Sequence, residues 1–349
     1  MTLSIRRTVY LGLLCFALCV TVPSCLAGQD MEAVRLAMAG RKLSPEAAGA
    51  LELQVKSAPD DVSARTKLLG YYFLRAHTSP EARSARQEHV LWLIRNRQDA
   101  PILETPYARL DNVLERSAYE EGKKAWLEQV DRQPQNAALL GRAAGYFLLS
   151  DSAMAESLYR RAEAAEPQNP AWPGQLGHLY ALGLIDKTGE GKQRSAKAAL
   201  EAYERSLERM KGSETRESVL SDVATVALEA GEMAKARTYA ERLVAEHGGD
   251  GDMVHHGHVV LGRIALRAGD VDGAKQHLLA AGETPGSAAL RSFGPNMRLA
   301  QELLQKGERQ TVLDYFKLCG SFWKRGELEV WSKEVEAGKM PDFGANLVY

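Results

Sequence analysis

The chain has 349 residues, of which 26% are charged and 45% hydrophobic, and its formal net charge is −1 at pH 7. Acidic and basic residues are interspersed along the chain, a pattern typical of solvated helix faces and not of charged tails. No basic excess is available to neutralise a phosphate backbone, so the composition predicts that nucleic acid is not a partner.

The N-terminus has the order of regions found in a secretory signal peptide, and we assign residues 1–27 to it. Arg6 and Arg7 precede an apolar run over residues 9–22, which is followed by small residues. This run is shorter than the roughly 20 residues that a membrane-spanning helix needs. The mature chain is therefore expected to be exported, to the periplasm or the cell envelope.

Two cleavage sites remain open, and they differ in whether a lipid is attached. Cleavage after Ala27 would release the chain, whereas "VPSC" read as a lipobox would make Cys25 the lipidated N-terminus and the only membrane attachment. Pro23 suits the second reading poorly. Beyond this region the chain keeps only Cys319, so an internal disulfide is impossible, and its apolar surroundings predict a buried thiol.

The segments that follow have helical patterns. "SPEAAGALELQVKS" begins with Ser44 as an N-cap and Pro45 in the first turn, which predicts a helix start. Helical hairpin elements are indicated again by "KLLGYYFLRAHTSPEARSARQEHVLWLI" and by "YEEGKKAWLEQVDRQP", where Gly122 and Trp126 provide a small and a large packing position. No run of alternating strand residues is found, so the chain is predicted to be all-α.

An internal repeat dominates the middle of the chain. Small and large apolar residues recur at matched spacings in two segments, at Ala143, Tyr146, Ala155, Tyr159, Ala162 and Pro167, and at Gly262, Ala265, Ala274, Leu278 and Ala281. A third copy follows Ala224. The small residues let two antiparallel helices approach closely, and each hairpin leaves an apolar face that only a neighbouring hairpin can cover.

These motifs resemble those of the tetratricopeptide repeat family. The resemblance implies an all-α, right-handed solenoid of antiparallel helical hairpins. We divide the chain into the signal peptide at 1–27, divergent hairpins at 28–133, repeats at 134–282, and a C-terminal repeat, cap and tail at 283–349. A weaker copy is interrupted by residues 183–195, which we interpret as a loop insertion. Trp323 and Trp331 are expected in the cap, with the tail packed over it; the alternative is a docking tail that ends in "ANLVY".

Histidines provide the one candidate for metal chemistry. His255, His256 and His258 follow Asp250 and Asp252 in "GDGDMVHHGHVVLGRIALRAGDVDGAKQHL". His255 and His258 lie one helical turn apart and could share a zinc ion, but further ligands are lacking. The repeat pattern instead places His258 against the partner helix, with His255 and His256 directed elsewhere. We therefore predict no metal, no cofactor and no catalytic residue.

The function that the resemblance implies is a non-catalytic scaffold that binds a protein or peptide in the concave groove. Groove candidates on the first helix of each hairpin are Arg142, Gly145, Gln175, His178, Arg263 and Leu266. The alternative is an enzyme or small-ligand receptor with a pocket near residues 183–195 or in the C-terminal segment. A third possibility is a subunit that oligomerises through an apolar C-terminal face.

Overall fold

The structure, a computed structural model, describes residues 27–185, 187–210, 214–246 and 249–347. Cys25 and nearly all of the predicted signal peptide lie outside the described residues. Within them the chain is helical, with no strand, so the all-α prediction is confirmed. None of the described helices is long and apolar enough to cross a membrane.

The described chain divides into two compact units, residues 27–179 and residues 180–347. The N-terminal unit is built from α1 Ala27–Gly40, α2 Pro45–Ser57, α3 Val62–Arg75, α4 Pro80–Asn96, α5 Arg116–Arg132, α6 Ala137–Phe147 and α7 Ser152–Ala165. Short 3-10 turns at Pro101–Glu104 and Pro106–Ala108 connect α4 to α5. The helix α8, Ala171–Leu182, spans the boundary between the units.

In the N-terminal unit each helix packs on a neighbour in sequence or on the next but one. α3 lies between α1 and α4, and α6 forms an antiparallel hairpin with α7. Ser44, Asp61 and Ser79 cap α2, α3 and α4, because their side chains accept hydrogen bonds from backbone N–H groups in the first turn. The contact of α1 with α3 requires Gly70, since a Cβ there would lie 1.9 Å from the carbonyl oxygen of Ala37.

The C-terminal unit contains three hairpins and a cap. Its helices are α9 Gly189–Arg209, α10 Glu214–Ala230, α11 Met233–Glu246, α12 Gly251–Arg267, α13 Val271–Gly282, α14 Ala288–Phe293, α15 Arg298–Gln305, α16 Arg309–Cys319 and α17 Glu327–Glu336. The pairs α10–α11, α12–α13 and α15–α16 are the hairpins. A 3-10 turn at Gly344–Leu347 follows α17. The predicted all-α fold of antiparallel helical hairpins is thus confirmed within the described residues.

One prediction about this region was wrong. The interruption assigned to residues 183–195 is mostly helix, because α9 begins at Gly189. Tertiary contacts stabilise its first turns: Lys192 pairs with Glu229, and Gln193 donates a hydrogen bond to the carbonyl of Ala230. These contacts outweigh the low helix propensity of Gly189 and Gly191.

The C-terminal segment packs back onto the last hairpin. Phe316, Trp323, Trp331 and Phe343 form one buried aromatic cluster with α15 and α16. The Asn346 side chain donates hydrogen bonds to the carbonyls of Phe293 and Pro295. A terminal unit of this kind covers the apolar face that the last hairpin of a stack would otherwise expose.

Candidate functional site

The first helices of the three C-terminal hairpins lie side by side. α10 packs against α12, and α12 packs against α15. Six charged side chains lie together along these helices and the start of α9, and we call them the charged row: Lys192, Glu229, Arg263, Arg267, Arg298 and Glu302.

Arg263 is the centre of the charged row. Its guanidinium donates through Nε to Glu302 at 2.9 Å and through Nη2 to Glu229 at 2.9 Å. The residue is 5% exposed, so both ion pairs are largely shielded from water. A single side chain of α12 therefore connects α10 on one side to α15 on the other.

The position of Arg263 follows from its neighbour in sequence. Gly262 lies where α12 meets both α13 and α15, since a Cβ there would lie 2.3 Å from Leu299 and 3.1 Å from His277. The absence of a side chain brings the helices close together. The next residue along α12 is then directed towards the adjoining first helices, where a long guanidinium can reach two carboxylates.

Three further cations surround this centre. The Lys192 ammonium lies 2.7 Å from Glu229, and Arg267 lies 3.7 Å from the same carboxylate while donating to the carbonyl of Leu228. Arg298 donates to the carbonyl of Leu347 at 2.6 Å. The charged row thus holds four cations and two carboxylates, a local surplus of two positive charges in a chain whose net charge is −1.

The ionisation of these groups reflects the surplus. Burial opposes the charged form of Glu229, but Arg263 and Lys192 outweigh it and lower the pKa of that carboxyl to about 2. Burial, and then repulsion from Arg263, lower the pKa values of both Arg267 and Arg298. An added anion would stabilise these two guanidinium groups, so the charged row is suited to bind a negatively charged group.

The histidines of α12 form a structural cluster. His255 is fully buried; its Nδ1 lies 2.9 Å from the carbonyl of Ala281, and its Nε2 accepts the backbone N–H of Asn296 at 3.0 Å. These partners require the neutral tautomer with the proton on Nδ1, which donates to Ala281. Burial lowers the pKa of His255 to about 3. The ring therefore connects α12 to α13 and to the residues before α15.

The zinc hypothesis is not supported by these positions. His258 pairs with His277 of α13, their Nδ1 atoms 3.1 Å apart, and not with His255. His256 contacts the carbonyl of Asp252. Among the described residues no group of three or more potential metal ligands is found. The repeat pattern placed His258 against the partner helix, as observed, and directed His255 elsewhere, whereas His255 is fully buried between α12 and α13.

The residues predicted to pack the repeats lie in the hairpins α6–α7 and α12–α13. Fully or almost fully buried are Ala143, Ala155, Tyr159, Ala162, Ala274, Leu278 and Ala281, and Gly262 is buried between helices. Tyr146 and Ala265 are half-buried, and Tyr146 donates to the carbonyl of Tyr119. Pro167 is exposed in the turn after α7.

Of the predicted groove residues, Arg263 belongs to the charged row, and Leu266 is half-buried near it. Arg142 pairs with Glu104 at 2.6 Å in the N-terminal unit. The sequence did not indicate Lys192, Arg267, Arg298 or the two carboxylates as a site. They come from four helices, and no local spacing connects them.

A separate groove of about 570 Å³ lies between α4 and α5 in the N-terminal unit. Gln87, Trp92 and Glu121 are among the residues that line it. Beside it, Arg86 donates to the carbonyls of Tyr107 and Arg109 and pairs with Glu115 at 2.7 Å. These contacts of Arg86 fix the connection between α4 and α5.

The hairpins form a helical scaffold, and the charged row gives the first helices of the C-terminal unit a polar face. No family model matches the chain, and no curated protein matches it. Solved structures of similar fold include a human IFIT1 dimer with m7Gppp-AAAA, at 18% identity and a TM-score of 0.48, and a human IFIT1 dimer with PPP-AAAA, at 18% identity and a TM-score of 0.47. Each match covers 86% of this chain; the chain spans 66% and 68% of those proteins.

These structures correct one prediction. The near-neutral net charge led us to exclude nucleic acid as a partner, yet both similar structures contain an oligonucleotide. The exclusion was wrong, because net charge sums over the whole surface whereas binding depends on local charge. The charged row illustrates the difference in this chain.

Proposed function

We propose that the protein is a non-catalytic scaffold of the cell envelope that binds a segment of a partner protein along the charged row. The observation that carries this proposal is the bridge from Arg263 to Glu229 and Glu302. Because one residue fixes three first helices together, their polar faces form a rigid surface. A rigid surface loses little conformational freedom on binding, which favours affinity.

The alternative in which the chain is an enzyme or a small-ligand receptor has less support. That alternative needs a pocket near residues 183–195 or in the C-terminal segment. The first of these segments is largely helix α9, and the groove of about 570 Å³ lies at residues 84–121 instead. The C-terminal segment is occupied by its own aromatic cluster.

Site-specific crosslinking tests the scaffold function. A photoreactive amino acid replaces Gln305, which is exposed on α15 one turn after Glu302, and separately replaces Glu241, which is exposed on α11. In native envelope extracts we expect a discrete protein adduct at Gln305 and none at Glu241. Equal labelling at both positions, or none at Gln305, would contradict binding along the charged row.

Export and lipid attachment are proposed from the N-terminal sequence alone. If Cys25 is lipidated, palmitate labelling of the full chain gives a labelled product that Cys25→Ala abolishes. If cleavage follows Ala27, the mature protein is unlabelled and its N-terminus is Gly28. N-terminal sequencing of the processed product separates the two outcomes, and retention of residues 1–27 would contradict export by either route.

A further inference from the structure

We infer that the charged row recognises an acidic segment, one with at least two carboxylates, and that Arg267 and Arg298 are the residues that bind it. This inference rests on the proposed function and specifies the chemistry of the partner. It depends on which cations of the charged row are already neutralised within the chain and which are not.

Arg263 is already neutralised. It is buried between two carboxylates, and burial, which disfavours its charge, is outweighed by Glu302 and Glu229. Lys192 likewise has Glu229 at 2.7 Å. These two cations serve to hold the helices together, and a ligand gains little from them.

Arg267 and Arg298 are in a different position. The Arg267 side chain is 36% exposed, and its nearest carboxylate is the one that Arg263 and Lys192 already share. Arg298 is half-buried, and within the described residues its hydrogen bond is to a backbone carbonyl and it forms no ion pair. Both guanidinium groups therefore keep donors for an incoming anion.

Their placement determines the kind of anion. Arg267 lies one turn after Arg263 on α12, and Arg298 lies one turn before Glu302 on α15. The two guanidinium groups thus flank the central ion pairs on two adjacent helices. Two separate carboxylates on an extended peptide fit this arrangement, because a guanidinium binds a carboxylate through two parallel hydrogen bonds.

Fluorescence polarisation with the full chain tests the inference. The probes are a labelled Glu-rich peptide, its Gln counterpart and its Lys counterpart. We expect binding of the Glu-rich peptide only, weakened by added salt because the contacts are partly exposed. The double variant R267Q/R298Q should weaken binding by about tenfold or more, since each charged hydrogen bond is lost.

The control is Arg237→Gln on α11, a 51% exposed arginine on a second helix, which should leave binding unchanged. The charge-reversed variant R267E/R298E should instead bind the Lys-rich peptide, an outcome that general destabilisation cannot produce. Equal affinity for the Glu-rich and Gln-rich peptides, or an unaffected double variant, would overturn the inference.

Two further measurements distinguish an acidic peptide from a nucleic acid, and a failure of this inference from a failure of the proposed function. If a four-nucleotide adenylate binds more tightly than the Glu-rich peptide and loses affinity in R267Q/R298Q, the ligand of the charged row is a nucleic acid and the inference of an acidic peptide fails. If the crosslink at Gln305 to a protein partner persists in the double variant, the scaffold function stands and the acidic specificity fails. If that crosslink never forms, the proposed function itself fails.

Discussion

At the residue scale, His255 makes the stability of the C-terminal unit depend on pH. Its folded pKa is about 3, whereas the unperturbed value is 6.5. The unfolded state therefore binds the proton more readily, so the stabilisation is complete above pH 6.5 and is lost as the pH falls towards 3. We expect the free energy of unfolding to fall by about 2 kcal/mol from this residue between pH 7 and pH 5.

Denaturant titrations at the two pH values measure this effect. In His255→Gln the imidazole is absent, so the difference between pH 7 and pH 5 should shrink even though the variant is less stable overall. The matched control is His77→Gln, which removes an exposed histidine and should keep the full pH dependence. A His255 variant with unchanged pH dependence would contradict the neutral, buried state of this ring.

Local patterns predicted some residues well and others not at all. The spacing of the repeat was enough to place His258 against the partner helix, and the apolar surroundings of Cys319 were enough to indicate its burial. His255 could not be placed, because its partners Ala281 and Asn296 lie 26 and 41 residues further along the chain. Which side of a first helix is most buried depends on the next hairpin, and the sequence of one hairpin does not contain that information.

At the element scale, Gly70 controls the distance between α1 and α3. A Cβ at this position would lie 1.9 Å from the Ala37 carbonyl oxygen, so Gly70→Ala must push the two helices apart. We expect a loss of about 2 kcal/mol or more in the free energy of unfolding. Gly49→Ala is the control. No atom lies within 4 Å of the position that a Cβ would take at Gly49, so alanine's higher helix propensity should stabilise the protein slightly.

The bridge by Arg263 is also a property of elements, because it couples three helices. Arg263→Met leaves Glu229 and Glu302 without their shared partner in a shielded site, and we expect a loss of about 3 kcal/mol. Adding Glu302→Gln to that variant should recover part of the loss, since among the described residues Glu302 has its ion pair with Arg263 alone, whereas Glu229 keeps Lys192. Urea unfolding of the two single variants and the double variant gives the coupling directly, and strictly additive losses would contradict the bridge.

The hairpins themselves were predictable, whereas the charged row was not. Helix period, small residues and turn signals repeat within each hairpin, so they appear in the sequence at fixed spacing. The start of α9 was assigned to a loop because it interrupts the repeat spacing, whereas Lys192 and Gln193 are held by residues of α10. Contacts between layers of a stack connect residues far apart in sequence, which single-sequence patterns do not reveal.

At the scale of the whole molecule, the balance of charge over the chain differs from the charge at any one surface. A net charge of −1 coexists with a row that has two more cations than carboxylates. Composition therefore describes solubility and long-range attraction, but it does not exclude an anionic partner. The correction about nucleic acid and the inference about acidic peptides both follow from this difference.

The last hairpin also requires its cap, and this determines where truncation should act. Asn346 satisfies the carbonyls of Phe293 and Pro295, and Phe343 closes the aromatic cluster with Phe316 and Trp331. Deleting residues 344–349 removes the amide partner and uncovers the cluster, so we expect a lower melting temperature. In a stack, stability is set by neighbouring contacts. Hydrogen exchange should therefore speed up over residues 288–343 first, while residues 27–179 keep their protection. Uniform loss of protection across the chain, or an unchanged melting temperature, would contradict the capping role.

Asn346→Asp tests the contribution of the amide alone. The substitution keeps the size of the side chain but places a carboxylate against the carbonyl oxygens of Phe293 and Pro295. Because these groups repel, the variant should reproduce most of the fall in melting temperature that the deletion causes.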